Sequence, residues 1–154
     1  MVDVMIKEFD KLSEREVELM LKAPVLVCIL IAGADGTIDR KEIKGAIAQT
    51  QKKNKFALAA YLKEVSQDFE DKIKILIQSY PYESVQRNPI LIEELGLLNG
   101  LWKKMDKRFS IQVYHMLKEL AEKIAASSGG LWGMKTVANE EAKYVQLPMI
   151  NDPS

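Results

Sequence analysis

The sequence predicts an all-α protein, and three observations predict it. Apolar residues recur at three- and four-residue spacing along nearly the whole chain. Capping signatures of the Ser/Asp-x-x-Glu kind stand in front of several periodic stretches. No segment alternates apolar and polar residues between turn signals as a half-buried strand would. With 154 residues the chain is long enough for one domain with a real core. That domain is assigned to residues 1–147, with 148–154 as a loose C-terminal tail.

Each element follows from local chemistry. Val2, Met5, Ile6 and Phe9 give a short amphipathic first helix. Ser13 and Glu16 form a capping box that starts a second, which meets Pro24 and should kink or split there. From Val25 to Ile31 every side is apolar, so other helices should wrap this half. Asp39 and Glu42 make another capping box, opening a helix to about Lys53 with Ile43, Ala46, Ile47 and Thr50 inward. Phe56, Ala59, Leu62 and Val65 mark a further short helix. Ser66 should cap the next, whose face is Phe69, Ile73, Leu76, Ile77 and Tyr80 and whose end is Pro81. Asn88-Pro89 reads as N-cap and N1 of a helix striped by Leu91, Leu95, Leu98, Trp102 and Met105. Gly96 and Gly100, one turn apart, would admit a closely approaching neighbour. Phe109, Val113, Leu117, Leu120 and Ile124 form the face of a long helix that Gly129-Gly130 halts. Asn139-Glu140-Glu141 begins a last short helix through Tyr144 and Val145.

Composition narrows the function classes. Hydrophobic residues are 47% and charged residues 29%, as in ordinary globular proteins. Lys+Arg and Asp+Glu number 22 each, so no net field draws nucleic acid or anionic lipid. The single cysteine, Cys28, lies in the apolar run and fits a reducing compartment as a small buried hydrophobe. The first residues lack the regions of a signal peptide, and Leu19–Ala34, with Lys22 and Pro24, falls short of a membrane span. The expectation is a soluble cytoplasmic protein without a nucleic-acid partner.

The chemistry concentrates in Ala34-Asp35-Gly36-Thr37-Ile38-Asp39-Arg40-Lys41-Glu42, where three carboxylates fall within eight residues around a glycine turn. Hard cations such as Ca²⁺, Mg²⁺ and Mn²⁺ take oxygen ligands of this kind. Asp35 to Glu42 matches the later half of an EF-hand loop. Ile31 and Gly33 stand where its first and third ligands belong, which excludes a complete one. Binding at about 10⁻⁴ to 10⁻³ M is expected of what remains. The same residues are also accounted for as a turn dipeptide and a helix cap, and Arg40, Lys41 and Lys44 oppose a cation. A weaker echo follows in the second half. Ala125-Ala126-Ser127-Ser128-Gly129-Gly130 leads, after six extra residues, to Val137-Ala138-Asn139-Glu140-Glu141, pairing Ile38 with Val137 and Glu42 with Glu141. A duplicated helical hairpin is the economical reading.

The first motif resembles the hallmark of the TerB-like, tellurite-resistance-associated helical domain family. Ser127-Ser128-Gly129-Gly130-Leu131-Trp132-Gly133 with Val137 to Glu141 is similar to the Ser-Gly-Gly-aromatic-Gly motif of that family's second repeat. The two bracket roughly residues 13 to 147. The resemblance implies a bundle of about seven helices with internal pseudo-twofold symmetry, and a divalent cation held by acidic residues. It also implies a non-catalytic role in stress or membrane-linked complexes. Carried onto this chain, the acidic positions are Asp35, Asp39 and Glu42, with Glu141 in the second copy; Gly129 and Ala138 replace the two aspartates there.

Other chemistry is thinner. His115, the only histidine, lies opposite the Val113/Leu117 stripe and reads as a solvated surface residue. Gly129 to Thr136 is no phosphate loop, since Met134 separates the last glycine from Lys135-Thr136 and a helix comes before it. Lys52-Lys53-Asn54-Lys55 and the Lys103, Lys104, Lys107, Arg108 cluster are cations of the kind helix C-termini favour, with an RNA- or lipid-facing patch as the alternative. Trp132 either plugs the bundle end or, with Leu131, anchors a partner. The expected function is a non-enzymatic module that binds a divalent cation. The alternative is a metal-independent scaffold working through a protein partner or self-association, reaching membranes only through partners.

Overall fold

A computed structural model of the chain describes residues 6–32, 40–53, 56–126 and 144–154. Six α-helices lie among them: α1 (Glu14–Ala32), α2 (Arg40–Lys53), α3 (Phe56–Ser66), α4 (Phe69–Ser79), α5 (Ser84–Gly96) and α6 (Lys107–Ala125). Short 3₁₀ turns occur at Lys7–Phe9, Leu97–Gly100 and Trp102–Lys104. The described residues contain no strand, and the protein is an all-α bundle.

Helix α1 is the axis. It packs most extensively on α6 and also contacts α5, α3 and α2. Every residue from Ala23 to Ala32 is buried, so the apolar-all-round half is wrapped as expected. Ser13 and Glu16 form the reciprocal box that starts it: Ser13 N donates to Glu16 Oε1 at 2.9 Å, and Glu16 N donates to Ser13 Oγ at 3.2 Å.

Pro24 does not split α1, which runs unbroken through it. A proline at position 24 withholds the N–H that the Met20 carbonyl would accept one turn back. The buried Tyr61 hydroxyl of α3 donates to that carbonyl instead. Burial pushes the Tyr61 phenol well above its ordinary value, so it stays a protonated donor. Around it, Phe9, Tyr61 and Phe109 stand edge-to-face at centroid distances of 6.0 to 6.2 Å, joining the first 3₁₀ turn, α3 and α6.

Several faces match the sequence. Ile43, Ala46, Ile47 and Thr50 of α2 are buried, as are Phe109, Val113, Leu117, Leu120 and Ile124 of α6. Asp106 caps α6, accepting from Phe109 N at 3.2 Å.

Other boundaries move. The first helix is reduced, among the described residues, to a 3₁₀ turn whose Ile6–Phe9 edge is buried; Val2 and Met5 lie outside them. Ser66 ends α3 rather than capping α4, its Oγ donating back to the Leu62 carbonyl at 2.9 Å. On α3 the buried face is Leu58, Tyr61, Leu62 and Val65, with Ala59 half-buried. Helix α5 begins at Ser84, so Asn88-Pro89 is interior rather than a start. Pro89 sits within the first two turns, and the carbonyl it deprives, that of Val85, belongs to an exposed residue that water can reach. The stripe Leu91, Leu95, Leu98, Trp102 and Met105 is buried throughout, but α5 stops at Gly96 and the chain tightens into 3₁₀ turns.

Among the described residues no neighbouring helix uses the two glycines. A Cβ at Gly96 would meet only the Met149 carbonyl at 3.8 Å, and one at Gly100 nothing within 4 Å. The tail is not loose either. Asn99 Nδ2 donates to the Met149 carbonyl at 3.0 Å, Trp102 Nε1 to the Asn151 carbonyl at 3.0 Å, and Asn151 N to Asn99 Oδ1 at 2.7 Å. Leu147 and Ile150 are buried beside them.

Candidate functional site

The acidic motif lies almost wholly outside the described residues. Asp35, Asp39 and Glu141 are outside them, as is the Ser127–Gly133 stretch with Leu131 and Trp132. Glu42 falls in the first turn of α2, but its side chain is not among the described ones. What is described is the helix the motif introduces: α2 opens at Arg40, directly after Asp39, and closes at Lys53. Among the described residues no three His, Cys, Asp or Glu side chains are grouped so as to hold a metal ion. No described helix is long and apolar enough to cross a membrane.

The open chemistry of the described surface gathers along the outer edge of the first half of α1. Two clefts flank that edge and share Glu18 and Lys22. The first, of about 520 Å³, lies between α1, the α3–α4 turn and α4. Leu21, Val25, Ile75 and Leu76 form its apolar lining; Glu18, Glu64, Asp68, Lys22 and Lys72 supply the charge. The second, of about 640 Å³, runs between α1, the end of α5 and the 3₁₀ turns, lined by Arg15, Glu16, Leu19, Glu94, Leu97 and Lys104 among others. Each carries an exposed aliphatic side chain: Ile75 is 63% exposed and Leu97 60%.

Sequence places these groups for physical reasons. Glu18, Lys22 and Leu21, Val25 are i,i+4 pairs, so adjacent stripes of α1 present charge and carbon to the same cleft. Lys22 Nζ pairs with Glu94 Oε1 of α5 at 3.1 Å, both side chains about a third or less exposed. The Tyr80 hydroxyl donates to Glu94 Oε2, so that one carboxylate ties α1, the end of α4 and α5. Burial, and next the hydrogen bond to Glu94, push the Tyr80 phenol well up from its ordinary value. Lys104 Nζ meets Glu16 Oε2 at 2.6 Å. That hydrogen bond first, then the backbone N–H of Ser13, hold the Glu16 carboxyl below the ordinary glutamate value.

Asp68 differs. It precedes α4 in a left-handed conformation (φ 53°), its side chain makes no capping hydrogen bond, and it lines the first cleft. Glu18 and Glu64 are likewise without an ion-pair partner among the described residues. Lys72 Nζ donates to the backbone carbonyl of Glu64 at 2.9 Å rather than to a carboxylate.

Remaining candidates are settled by burial. Cys28 is fully buried and its thiol is pushed far up by desolvation, which leaves it unreactive in the folded protein. His115 is exposed, edge-on to Tyr114 at 5.4 Å, on the solvent side of α6 as expected. Lys103, Lys104, Lys107 and Arg108 are exposed, but Trp102 beside them is turned inward and fastened to the tail, so it supplies them no aromatic platform.

Sequence reading overlooked the Lys22–Glu94–Tyr80 group. Its signal was Lys22 itself, the one charge in the apolar stretch before Pro24. Tyr80 was legible only as a member of an apolar face. The chain matches no protein-family model, no curated protein and no solved structure.

Proposed function

We propose that the chain is a non-enzymatic helical interaction module that holds a partner protein along the open edge of α1. The observation that carries this reading is that two clefts flank the same edge of α1, both lined by Glu18 and Lys22 and each with an exposed aliphatic residue, Ile75 or Leu97. Apolar patches rimmed by polar residues mark interaction surfaces. The module works in the cytoplasm in this reading. The test is affinity capture from cells that produce the protein, with wild type beside an Ile75→Lys/Leu97→Lys variant. A partner kept by wild type and lost by the variant, at unchanged melting temperature, supports the proposal; identical captures, or none, overturn it.

A second reading adds a weak divalent-cation site at Asp35, Asp39 and Glu42, with Glu141 from the second repeat, in a TerB-like bundle of about seven helices. Two observations favour it. Helix α2 opens at Arg40, where the motif requires a helix to begin. Helices α1 and α6 are each 19 residues long, pack on one another, and each leads directly toward one motif, as the two copies of a hairpin repeat would. Calorimetric titration of Ca²⁺, Mg²⁺ and Mn²⁺ tests the site. Saturable binding at about millimolar or tighter, lost in Asp35→Asn at unchanged melting temperature, supports it; no heat from any of the three overturns it. The stress-related or membrane-linked assembly implied by the family resemblance belongs to the same reading.

A further inference from the structure

Resting on the interaction-module reading, we propose that the cleft between α1 and α4 takes a basic amphipathic helix of a partner protein. Three features of the cleft specify that occupant. The first is space. Helices α1 and α4 bound it without packing closely on one another, and the gap of about 520 Å³ is floored by Leu21 and Val25 on one side and Ile75 and Leu76 on the other. Two helices separated by such a gap leave a groove into which a third can present apolar residues at i, i+3 and i+4.

The second is unfinished burial. On α4 only Phe69 and Ile73 are fully buried; Leu76, Ile77 and Tyr80 are half-buried and Ile75 is exposed. An apolar face so incompletely covered gains from another apolar surface.

The third is charge. Glu18, Glu64 and Asp68 rim the groove from α1, the end of α3 and the α3–α4 turn, and none has an ion-pair partner among the described residues. Of the two lysines present, Lys22 is paired with Glu94 at 3.1 Å, while Lys72, held by the Glu64 carbonyl at 2.9 Å, keeps its charge, so three carboxylates stand against one ammonium at the rim. Three open carboxylates around an apolar floor select Lys or Arg on the flanks of the incoming helix and reject a negatively charged one.

The probe is a fluorescein-labelled 14-residue amphipathic helix of leucine and lysine, with a leucine–glutamate counterpart, read by fluorescence anisotropy against the whole protein. The lysine peptide should bind saturably and weaken several-fold as salt rises from about 50 to 500 mM. The double substitution Glu64→Gln/Asp68→Asn should weaken it about threefold to tenfold, the sum of two exposed charge contacts. Ile75→Ser should weaken it as well, with little effect on folding because the side chain is exposed. Glu93→Gln, on the exposed face of α5 outside both clefts, should leave affinity unchanged.

Equal binding of the glutamate peptide removes the basic preference while leaving an interaction face in place. Binding indifferent to Ile75→Ser removes the cleft as the site. Absence of binding by either peptide at millimolar concentration overturns the proposal outright, whereas the capture experiment above decides the broader reading by itself.

Discussion

Substituting Tyr61 by phenylalanine removes one oxygen from the middle of the core and nothing else. The hydroxyl is fully buried and donates to the Met20 carbonyl, the acceptor whose helical donor is missing because residue 24 is proline. Deleting the donor leaves that carbonyl buried without its replacement partner, which costs about 1–3 kcal/mol. Loss of a lone hydroxyl adds almost no cavity term. In a domain of this size that corresponds to a melting temperature about 3–10 °C lower. Pro24→Ala restores an N–H one turn from Met20. In that background Tyr61→Phe should therefore cost about 1 kcal/mol or less. Urea unfolding of the four proteins, followed by far-ultraviolet circular dichroism, closes the double-mutant cycle, with an expected coupling of about 1–2 kcal/mol. If Tyr61→Phe costs the same with and without Pro24, to within about 0.3 kcal/mol, the hydroxyl is not substituting for the missing amide and the reasoning fails.

Gly45→Ala should stabilise the protein by about 0.5–1 kcal/mol, because Gly45 is exposed within α2 and an added Cβ meets nothing within 4 Å; denaturant titration reads the gain. Asn99→Ala removes both side-chain bonds to the 149–151 segment and should cost about 1–3 kcal/mol, with faster amide exchange localised to residues 147–151. Glu16 has a folded-state pKa below its unfolded one, so its contribution is present above the ordinary glutamate range and disappears as pH falls through the lower, folded value. Melting temperatures between about pH 5 and pH 3 should accordingly decline less steeply for Glu16→Gln than for wild type.

Periodic features were the readable ones. The α2 and α6 faces, the all-round apolar half of α1 and the Ser13–Glu16 box follow from side-chain spacing and local hydrogen bonding, which a sequence displays directly. What escaped depends on partners distant in the chain. Pro24 signals a break, and only the Tyr61 hydroxyl, 37 positions further on, explains why α1 continues. Asn88-Pro89 carries a helix-start pattern that is overridden because α5 begins earlier on an exposed first turn. Residues 148–154 look loose from their Pro, Asn and Ser content, yet Asn99 and Trp102 bind them. At the site, the three cleft carboxylates lie on three different elements and have no common motif. The one compact acidic motif, Asp35 to Glu42, lies in another part of the chain.

The Phe9–Tyr61–Phe109 cluster bears on how the chain reaches this fold and how it leaves it. Its members are 52 and 48 positions apart, as 61 minus 9 and 109 minus 61. Closing a loop of about 50 residues costs about 3.5 kcal/mol in chain entropy. An edge-to-face pair contributes only about 0.5–1.5 kcal/mol beyond its buried area. Edge-to-face geometry alone therefore does not offset that closure, and we expect the rings to settle into place together with or after the burial of the α1, α3 and α6 faces. Contacts absent from the folding transition state act chiefly on the unfolding rate. We predict that the three rings act as a late latch: Phe9→Leu should hardly slow folding but should raise the unfolding rate, which stopped-flow measurement of both rates checks.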